Sequence, residues 1–275
     1  MQISVLILTL NEERNLPACL AALGSIDDVH IVDSGSTDQT VAIAQRAGAQ
    51  VLYRSFDNFA SQRNFGLENC EFQHEWVLHL DADELLTNEI RSEIDALPDT
   101  QSVDAYRVAS KTMFFGRWLR RSGMYPTYQV RLGNRERLRF QQVGHGQRET
   151  TPPERIGMLR EPYLHYSFSS GLANWFVKHV RYAAGEADFY ILLRQGKSQD
   201  AGGAIAQRRL KALSRRLPLF LRPFLRLIYV LILRGGALDG WRGFLYAAML
   251  SIYEAMIAVL VYERLLTGRG LSNRP

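Results

Sequence analysis

The sequence predicts an α/β protein whose mostly parallel sheet is flanked by helices and followed by a helical C-terminal region. Over the first 110 residues, short continuous apolar runs alternate with amphipathic stretches of helical length. Parallel strands that are buried on both faces have this continuous apolar character. A basic and apolar segment after residue 200 predicts the helical C-terminal region.

The predicted elements alternate along the chain. Pro17 suits the first turn of a helix, and Gly24 and Gly48 suit helix ends. Thr87 suits an N-cap. The predicted strands are 3–8, 29–32, 50–53 and 76–80, and the predicted helices are 11–24, 37–47, 59–69 and 87–97. Residues 104–166 show an irregular strand-like pattern, and residues 171–194 show a helical one.

Polar clusters follow three of the predicted strands, at Thr9–Glu12, Asp33–Asp38 and Asp81–Glu84. Because ligands bind beyond the carboxyl ends of the strands in such sheets, we expect these clusters to meet at one edge. Within the third cluster, Asp81-Ala82-Asp83 directly follows a buried strand. If the triplet is extended, both carboxylates point the same way and can bind one Mg²⁺ or Mn²⁺ ion. The alternative is a solvated loop that caps the next helix.

Two charged residues are further candidates for binding a nucleotide. The Asp33 carboxylate can accept a hydrogen bond from a nucleobase N–H, with Thr9 and Asn11 adding polar contacts. Alternatively, Asp33 makes an Asx-turn with local hydrogen bonds. Arg63 has the planar guanidinium that suits a diphosphate, or it is a solvated charge on a helix surface.

Four segments resemble, in order and spacing, the family-2 glycosyltransferases with a GT-A fold. They are Ile3 to Glu12, Val32 to Thr40, Gln62 to Gly66 and Leu80 to Glu84. Three later segments, at 164–168, 178–182 and 236–240, resemble the branch that contains lipopolysaccharide-core β-glucosyltransferases. The resemblance implies a Rossmann-like GT-A sheet and a bacterial hexosyltransferase of cell-envelope glycan biosynthesis. It also implies an inverting, single-displacement mechanism.

The resemblance also implies roles for individual residues. Asp83 would bind the metal ion, Mn²⁺ or Mg²⁺, and Asp81 would bind the metal ion or the ribose. The donor-binding residues would be Thr9, Asn11, Glu12, Asp33, Arg63, Asp81, Ala82 and Asp83.

For the general base, the resemblance leaves two candidates, Glu149 and His145. The branch usually shows Val-His-Glu at this point, whereas this chain has Gly146 in the place of that Glu. A histidine titrates near neutral pH, and partial burial can raise a glutamate toward it. We prefer Glu149, because an inverting displacement on this fold ordinarily uses a carboxylate. The alternative is that Glu149 is a surface charge on a loop.

The C-terminal region differs from the rest of the chain in charge. Residues 201–275 contain 12 basic and 3 acidic residues, whereas the first 200 contain 21 and 25. A linker at 200–203 and a basic helix at 204–216 precede the apolar stretch 217–233. This pattern favours an anionic membrane surface over nucleic acid, because the run 217–221 is too apolar for a phosphate-binding groove.

A second apolar stretch, Phe244–Tyr262, has the length of a membrane span. Glu254 in its middle is costly in hydrocarbon, so we expect helices that lie in the cytosolic interface. The alternative is that they pack as ordinary core on the catalytic domain or in a homo-oligomer.

Together these patterns predict a GT-A catalytic domain over residues 1–199 and a membrane-associating or oligomerising region over 200–275. Residues 1–100 would bind the nucleotide-sugar, and residues 101–199 would face the acceptor. The predicted function is metal-dependent transfer of a sugar from a UDP-sugar to a lipid-linked or lipopolysaccharide or polysaccharide acceptor. The alternatives are a polyprenyl-phosphate acceptor and a non-catalytic nucleotide-sugar-binding membrane protein.

The predicted location is the cytoplasmic face of the inner membrane, as a peripheral protein. The chain shows no signal peptide, and its two cysteines, Cys19 and Cys70, have neither a metal-type nor a redox-type spacing. Both cysteines are expected to fill helix cores in a reducing compartment.

Overall fold

The computed structural model describes residues 1–98, 102–143, 146–196 and 218–267. The chain divides into two compact units. The first consists of residues 1–118, 125–142 and 146–170, and the second of residues 119–124, 143–145 and 171–275. The predicted linker at 200–203 and the predicted basic helix at 204–216 lie outside the described residues.

The first unit is built on a ten-stranded sheet with the order β3-β2-β1-β4-β8-β6-β12-β5, in which β7 and β11 also pair with β6. A separate two-stranded sheet pairs β9 with β10. The strands are β1 (Ser4–Thr9), β2 (Val29–Asp33), β3 (Gln50–Tyr53), β4 (Trp76–Asp81), β5 (Glu84–Leu85), β6 (Ala105–Phe114), β7 (Arg117–Trp118), β8 (Thr127–Asn134), β9 (Phe140–Val143), β10 (Gly146–Glu149), β11 (Ile156–Met158) and β12 (Tyr163–His165).

Strands β3, β2, β1 and β4 lie parallel, so their carboxyl ends meet at one edge of the sheet. Thr9 at the end of β1 lies opposite Asp33 at the end of β2. On the other side of β1, Leu8 lies opposite Asp81 at the end of β4. The predicted convergence of the three polar clusters is therefore confirmed. We call this edge the donor rim, defined by residues 9–12, 33–38 and 81–84.

Both faces of the sheet are covered, which explains the continuous apolar strands. Val5 and Ile7 belong to one core and Leu6 to the other, as the two-residue period of a strand requires. Full burial of one such side chain contributes about 1.5–3 kcal/mol. Helices α1 (Leu16–Leu23), α2 (Thr40–Arg46) and α4 (Asn88–Asp95) contribute buried residues to the first core, and α3 (Phe59–Asn69) contributes to the second.

Several predicted boundaries are confirmed and two are wrong. The bounds of β3 and α3 match the prediction, and Thr87 caps α4 by accepting a hydrogen bond from Ile90 N. Helix α1 begins at Leu16 rather than at Asn11, because Asn11 has a φ of 56°, outside helical geometry. Helix α2 begins at Thr40 rather than near residue 37, because the Asp38 carboxylate accepts a local hydrogen bond from Thr40 N.

The second unit is helical. Its described elements are α5 (Leu172–Arg194), a 3₁₀ turn (Leu219–Leu221), α6 (Arg222–Ile228), a π-helical segment (Tyr229–Leu233), a 3₁₀ turn (Gly236–Asp239) and α7 (Trp241–Thr267). Ala183 and Ala187 of α5 pack with Ile257 and Val261 of α7 in a shared apolar core. Helix α5 therefore belongs with the second unit by its packing, although the sequence assigned it to the catalytic domain. The division of functions between the domains stays a prediction.

Candidate active site

Asp33 forms the centre of a hydrogen-bonded turn at the donor rim. Its Oδ1 accepts from the backbone N–H of Gly35 and Ser36, and its Oδ2 accepts from the hydroxyls of Ser36 and Thr9. An ionised carboxylate has about four acceptor sites, so these four bonds occupy them. The Asx-turn anticipated as an alternative is thus present, with Thr9 joining β1 to β2. A nucleobase N–H could bind Asp33 after one of the two hydroxyls rotates away.

Asn11 and Glu12 connect the loop after β1 to the loop after β2. The Asn11 side-chain oxygen accepts from Thr37 N at 2.8 Å, and Asn11 N donates to the Ser36 hydroxyl. Glu12 N donates to the Thr40 hydroxyl at 2.7 Å. The sequence placed both residues in donor binding, and the structure places them in contacts that hold the two rim loops together.

Asp81 lies between two buried arginines. Its Oδ1 is 2.7 Å from Arg63 Nη2, and its Oδ2 is 3.0 Å from Arg131 Nη2. Burial raises the pKa of Asp81, but Arg131 and Arg63 outweigh that effect and hold the pKa well below its usual range. Asp81 is therefore an ionised carboxylate with an orientation set by two guanidinium groups.

Arg131 reaches Asp81 because of an irregularity in β8. Tyr106 of β6 lies opposite Leu132, but the next residue, Arg107, lies opposite Val130. Arg131 is thus the extra residue of a β-bulge, a feature that re-aims a side chain. Its guanidinium also makes an ion pair with the fully buried Glu84 carboxylate.

Gln62, Arg63 and Asn64 are consecutive residues of α3, and the side chain of each one binds a different part of the fold. Gln62 donates to the Ser34 hydroxyl and to the Arg54 carbonyl. Arg63 binds Asp81, as described. Asn64 exchanges two hydrogen bonds, of 2.8 and 2.9 Å, with the backbone of Phe140 at the start of β9. Arg63 is 1% exposed, so the alternative of a solvated surface charge is wrong.

Asp83 differs from Asp81 in its surroundings. Ala82 and Asp83 form a turn rather than an extended segment, so the prediction of an extended triplet is wrong, while a metal site shared by the two carboxylates stays a prediction. Asp83 Oδ2 lies 3.5 Å from His165 Nε2, and Asp83 O accepts from Tyr166 N at 2.8 Å. Residue 165 lies opposite Glu84 in the sheet, which brings β12 to the rim.

Asp83 and His165 fit a metal ion that a bound diphosphate would also coordinate. Among the described residues, no group of three His, Cys, Asp or Glu side chains could hold a metal ion. Asp83 and His165 form a pair with one carboxylate oxygen and one imidazole nitrogen close together. Mg²⁺ is commonly bound by one or two carboxylates together with substrate phosphates, and imidazole suits transition metals.

Of the two candidate bases, Glu149 lies in the two-stranded sheet and is not part of the ten-stranded one. Glu149 ends β10 and is half-buried in the two-stranded sheet with β9. This sheet contacts α3, to which Asn64 attaches it. His145 lies outside the described residues.

Sequence reasoning missed three residues of the site. Arg131 and Glu84 form a buried ion pair that the sequence did not reveal. The β-bulge and the strand pairing that bring them together are tertiary features, which leave no local pattern. His165 was part of the narrower resemblance without a role. Both cysteines are buried, as expected, and burial raises the pKa of the Cys70 thiol to about 12.

The family profile described as Glycosyl transferase family 2 matches residues 4–158, more than half of the chain. This match covers the donor rim, α3 and most of the ten-stranded sheet. The chain therefore belongs to glycosyl transferase family 2, and the resemblance found in its motifs is confirmed.

Individual relatives refine this assignment. The chain is 27% identical to LpsC, a lipopolysaccharide core biosynthesis glycosyltransferase of Rhizobium meliloti. The match covers 100% of this chain and 96% of that relative. It is 37% identical over 106 residues to an uncharacterized glycosyltransferase of Rickettsia conorii, a match that spans 38% of this chain and 37% of that relative.

A solved structure of a glycosyltransferase supports the fold. The mannosyltransferase PcManGT of Pyrobaculum calidifontis, in complex with GDP-Man and Mn²⁺, is similar with a TM-score of 0.51 and 17% identity, over 95% of this chain and 87% of that one. This likeness confirms the GT-A fold.

Proposed function

We propose that this protein is an inverting, metal-dependent glycosyltransferase that moves a sugar from a UDP-sugar to a lipid-linked or lipopolysaccharide acceptor. The observation that carries the proposal is the donor rim, where the ends of β1, β2 and β4 bring Asp33, Asp81 and Asp83 to one edge. The family membership and the similarity to LpsC support the reaction class and the acceptor class.

In this proposal the donor side is held by the rim. Asp83 and His165 would hold Mn²⁺ or Mg²⁺, which neutralises the charge that develops on a leaving diphosphate. The charged pair of Arg63 and Arg131 orients Asp81 toward the ribose or the metal ion. Asp33 would exchange one of its two hydroxyl hydrogen bonds, from Thr9 or Ser36, for a contact with the nucleobase.

On the acceptor side, Glu149 would take the proton of the acceptor hydroxyl. The hydroxyl oxygen then bonds to the anomeric carbon while the bond from that carbon to the diphosphate oxygen breaks. Because the two oxygens lie on opposite faces of the carbon, the configuration inverts.

We test the donor site with UDP and Mn²⁺. Wild type should gain thermal stability when both are added, because a ligand that binds the folded state shifts unfolding. Asp83→Ala should lose that gain and lose transfer activity by about 100-fold or more, since metal neutralisation supplies several kcal/mol at the transition state. Glu149→Ala serves as the control, because it should keep the gain in thermal stability.

Glu149→Gln separates two acceptor classes. If the acceptor is a hydroxyl, the substitution should lower kcat by about 10²–10⁴-fold, the range of general base catalysis. A phosphate acceptor needs no general base, so unchanged activity would favour a polyprenyl-phosphate acceptor. Donor binding without turnover on any lipid acceptor would favour a non-catalytic binding protein.

The proposed location is the cytoplasmic face of the inner membrane. One described helix, α7, is long and apolar enough to cross a membrane by length and composition, and 28% of its most apolar window is buried. Its Glu254 forms an ion pair with Arg222 at 2.9 Å, and its Arg264 forms one with Asp188 at 2.5 Å. These pairs and its core with α5 support a peripheral helix rather than a lone span.

A further inference from the structure

The second unit carries a row of exposed apolar side chains at helical spacing. Leu221, Phe224, Leu225 and Ile228 are each between 42% and 65% exposed. Positions separated by three, four and seven residues lie on one side of a helix, so these four side chains form a stripe along α6 and the turn before it. Ile232, in the π-helical segment, is 70% exposed and follows this spacing.

The stripe leads into a turn that is equally apolar. Leu233 and Leu238 are 73% and 75% exposed, and Trp241 at the start of α7 is 56% exposed. We call the stripe and this turn together the apolar face, comprising the exposed apolar residues between 221 and 241. Exposed apolar patches of this continuity mark interaction sites.

The opposite side of the same segment is anchored, so the apolar face has a defined orientation. Pro223 is buried, and its carbonyl accepts a hydrogen bond of 2.8 Å from Ser251 of α7. At the turn, a Cβ on Gly236 would lie 2.6 Å from the Val230 carbonyl, and one on Gly243 would lie 2.0 Å from the Gly236 carbonyl. These close backbone contacts hold the turn against α7.

The segment that carries the apolar face has a net positive charge. Residues 218–254 contain four arginines and two acidic residues, Asp239 and Glu254, and Glu254 forms an ion pair with Arg222 at 2.9 Å. The Asp239 carboxylate accepts hydrogen bonds from the backbone N–H of Arg121 and Ser122 and from the Ser122 hydroxyl. Its charge is therefore used inside the unit, while the guanidinium of Arg242 lies 4.6 Å from the centre of the Trp241 ring.

We propose that the apolar face is the surface that docks on an anionic lipid bilayer. The inference rests on the proposed membrane location and deepens it by naming the contact. Apolar and aromatic side chains bury at the acyl boundary, and neighbouring arginines bind anionic headgroups. The C-terminal region, residues 201–275, has 12 basic and 3 acidic residues. An anionic bilayer complements this net positive charge, whereas a neutral apolar protein surface would not, so the charge balance favours the bilayer.

The test is flotation of the full chain with vesicles of phosphatidylglycerol and phosphatidylcholine, and with phosphatidylcholine alone. Wild type should float with the anionic vesicles, and added salt should weaken this binding. The double variant Leu238→Asp/Trp241→Asp should bind about tenfold more weakly, since it places two charges where apolar groups would bury. Both residues are exposed, so the fold should tolerate the change.

Leu266→Asp is the matched control, because Leu266 is an 84% exposed leucine near the other end of α7. It should float as wild type does. Flotation of the double variant at wild-type levels, or an equal loss in Leu266→Asp, would overturn the proposal. The proposal would also be overturned if neither protein floats and the wild type is a dimer while the double variant is a monomer.

Stabilisation by UDP and Mn²⁺, measured in the same samples, separates this inference from the proposed function. The double variant should keep the wild-type gain. A wild type that gains stability but does not float would overturn the docking surface and leave the donor site standing. A wild type that floats but gains no stability would count against the proposed function.

Discussion

At the scale of single residues, the two aspartates of the Asp81-Ala82-Asp83 triplet differ in what surrounds them. Asp81 is held by Arg63 and Arg131, two side chains that are 1% and 2% exposed. Asp83 faces His165 across 3.5 Å. A sequence motif treats the carboxylates as equivalent, whereas their contacts give Asp81 a fixed ion-paired geometry and leave Asp83 as the better candidate for a metal ligand.

The buried charges around Asp81 should depend strongly on Arg131. We expect Arg131→Met to lower the free energy of unfolding by about 3–5 kcal/mol, because Glu84 would stay buried without its partner. Urea unfolding measures this loss. The double variant Arg131→Met/Glu84→Gln should recover part of it.

Arg137→Met provides the control for this prediction. Arg137 is 48% exposed in its ion pair with Asp104, and an exposed pair contributes only about 0–1 kcal/mol. Equal losses in Arg131→Met and Arg137→Met would contradict the importance of the buried network.

At the scale of secondary structure, α3 organises the donor rim. Gln62, Arg63 and Asn64 attach it to the turn after β2, to the end of β4 and to β9. Gly66, one turn later, allows the helix to lie against β1, because a Cβ there would be 2.5 Å from Leu6 Cδ2. The motif Gln62 to Gly66 is thus explained by packing and positioning.

Gly66→Ala should therefore destabilise the first unit. We expect a loss of about 1–3 kcal/mol in unfolding free energy, typical of overpacking a core. The distance between Arg63 and Asp81 should also increase, which would weaken stabilisation by UDP and Mn²⁺.

Gly185→Ala in α5 is the comparison variant. A Cβ there meets nothing within 4 Å, so alanine should stabilise the helix by about 0.5–1 kcal/mol through its higher helix propensity. A Gly66→Ala protein that is as stable as Gly185→Ala would contradict the tight contact between α3 and β1.

At the scale of the whole molecule, stability should depend on pH through a carboxylate remote from the rim. Asp28 is buried, and its Oδ atoms lie 2.9 Å from His30 Nε2 and 2.8 Å from Gln73 N. Burial raises the pKa of Asp28, but hydrogen bonds from Ser4, Gln73 and His30 outweigh it and lower the pKa below its usual value.

A carboxyl with a lowered pKa stabilises the fold above its unfolded pKa of about 3.9. This contribution is lost as the pH falls through the lower, folded pKa. Asp28→Asn should therefore be less stable than wild type near neutral pH, and the difference should shrink below about pH 4. Urea unfolding across this range measures it, with the exposed neighbour Asp27→Asn as control. A difference that does not vary with pH would refute the prediction.

Some of the fold could be predicted because local chemistry decided it. The start of α3 follows from a local cap, since the Asn58 side chain accepts a hydrogen bond from Ser61 N at 2.8 Å. The start of α1 could not be predicted, because Asn11 takes a positive φ and its side chain bonds Thr37 across the rim. A contact between residues 26 positions apart leaves no local signal.

The sequence by itself determined the alternation of strands and helices, the meeting of three polar clusters at one rim and the family of the protein. These features depend on periodicity and on short motifs, which are local. The tertiary structure decided the roles available to the triplet, since a turn at Ala82 and a bulge at Arg131 set which charges surround each carboxylate. Side chains from β4, β5, β8 and α3 meet there only after the sheet has formed, and their electrostatics depend on that burial.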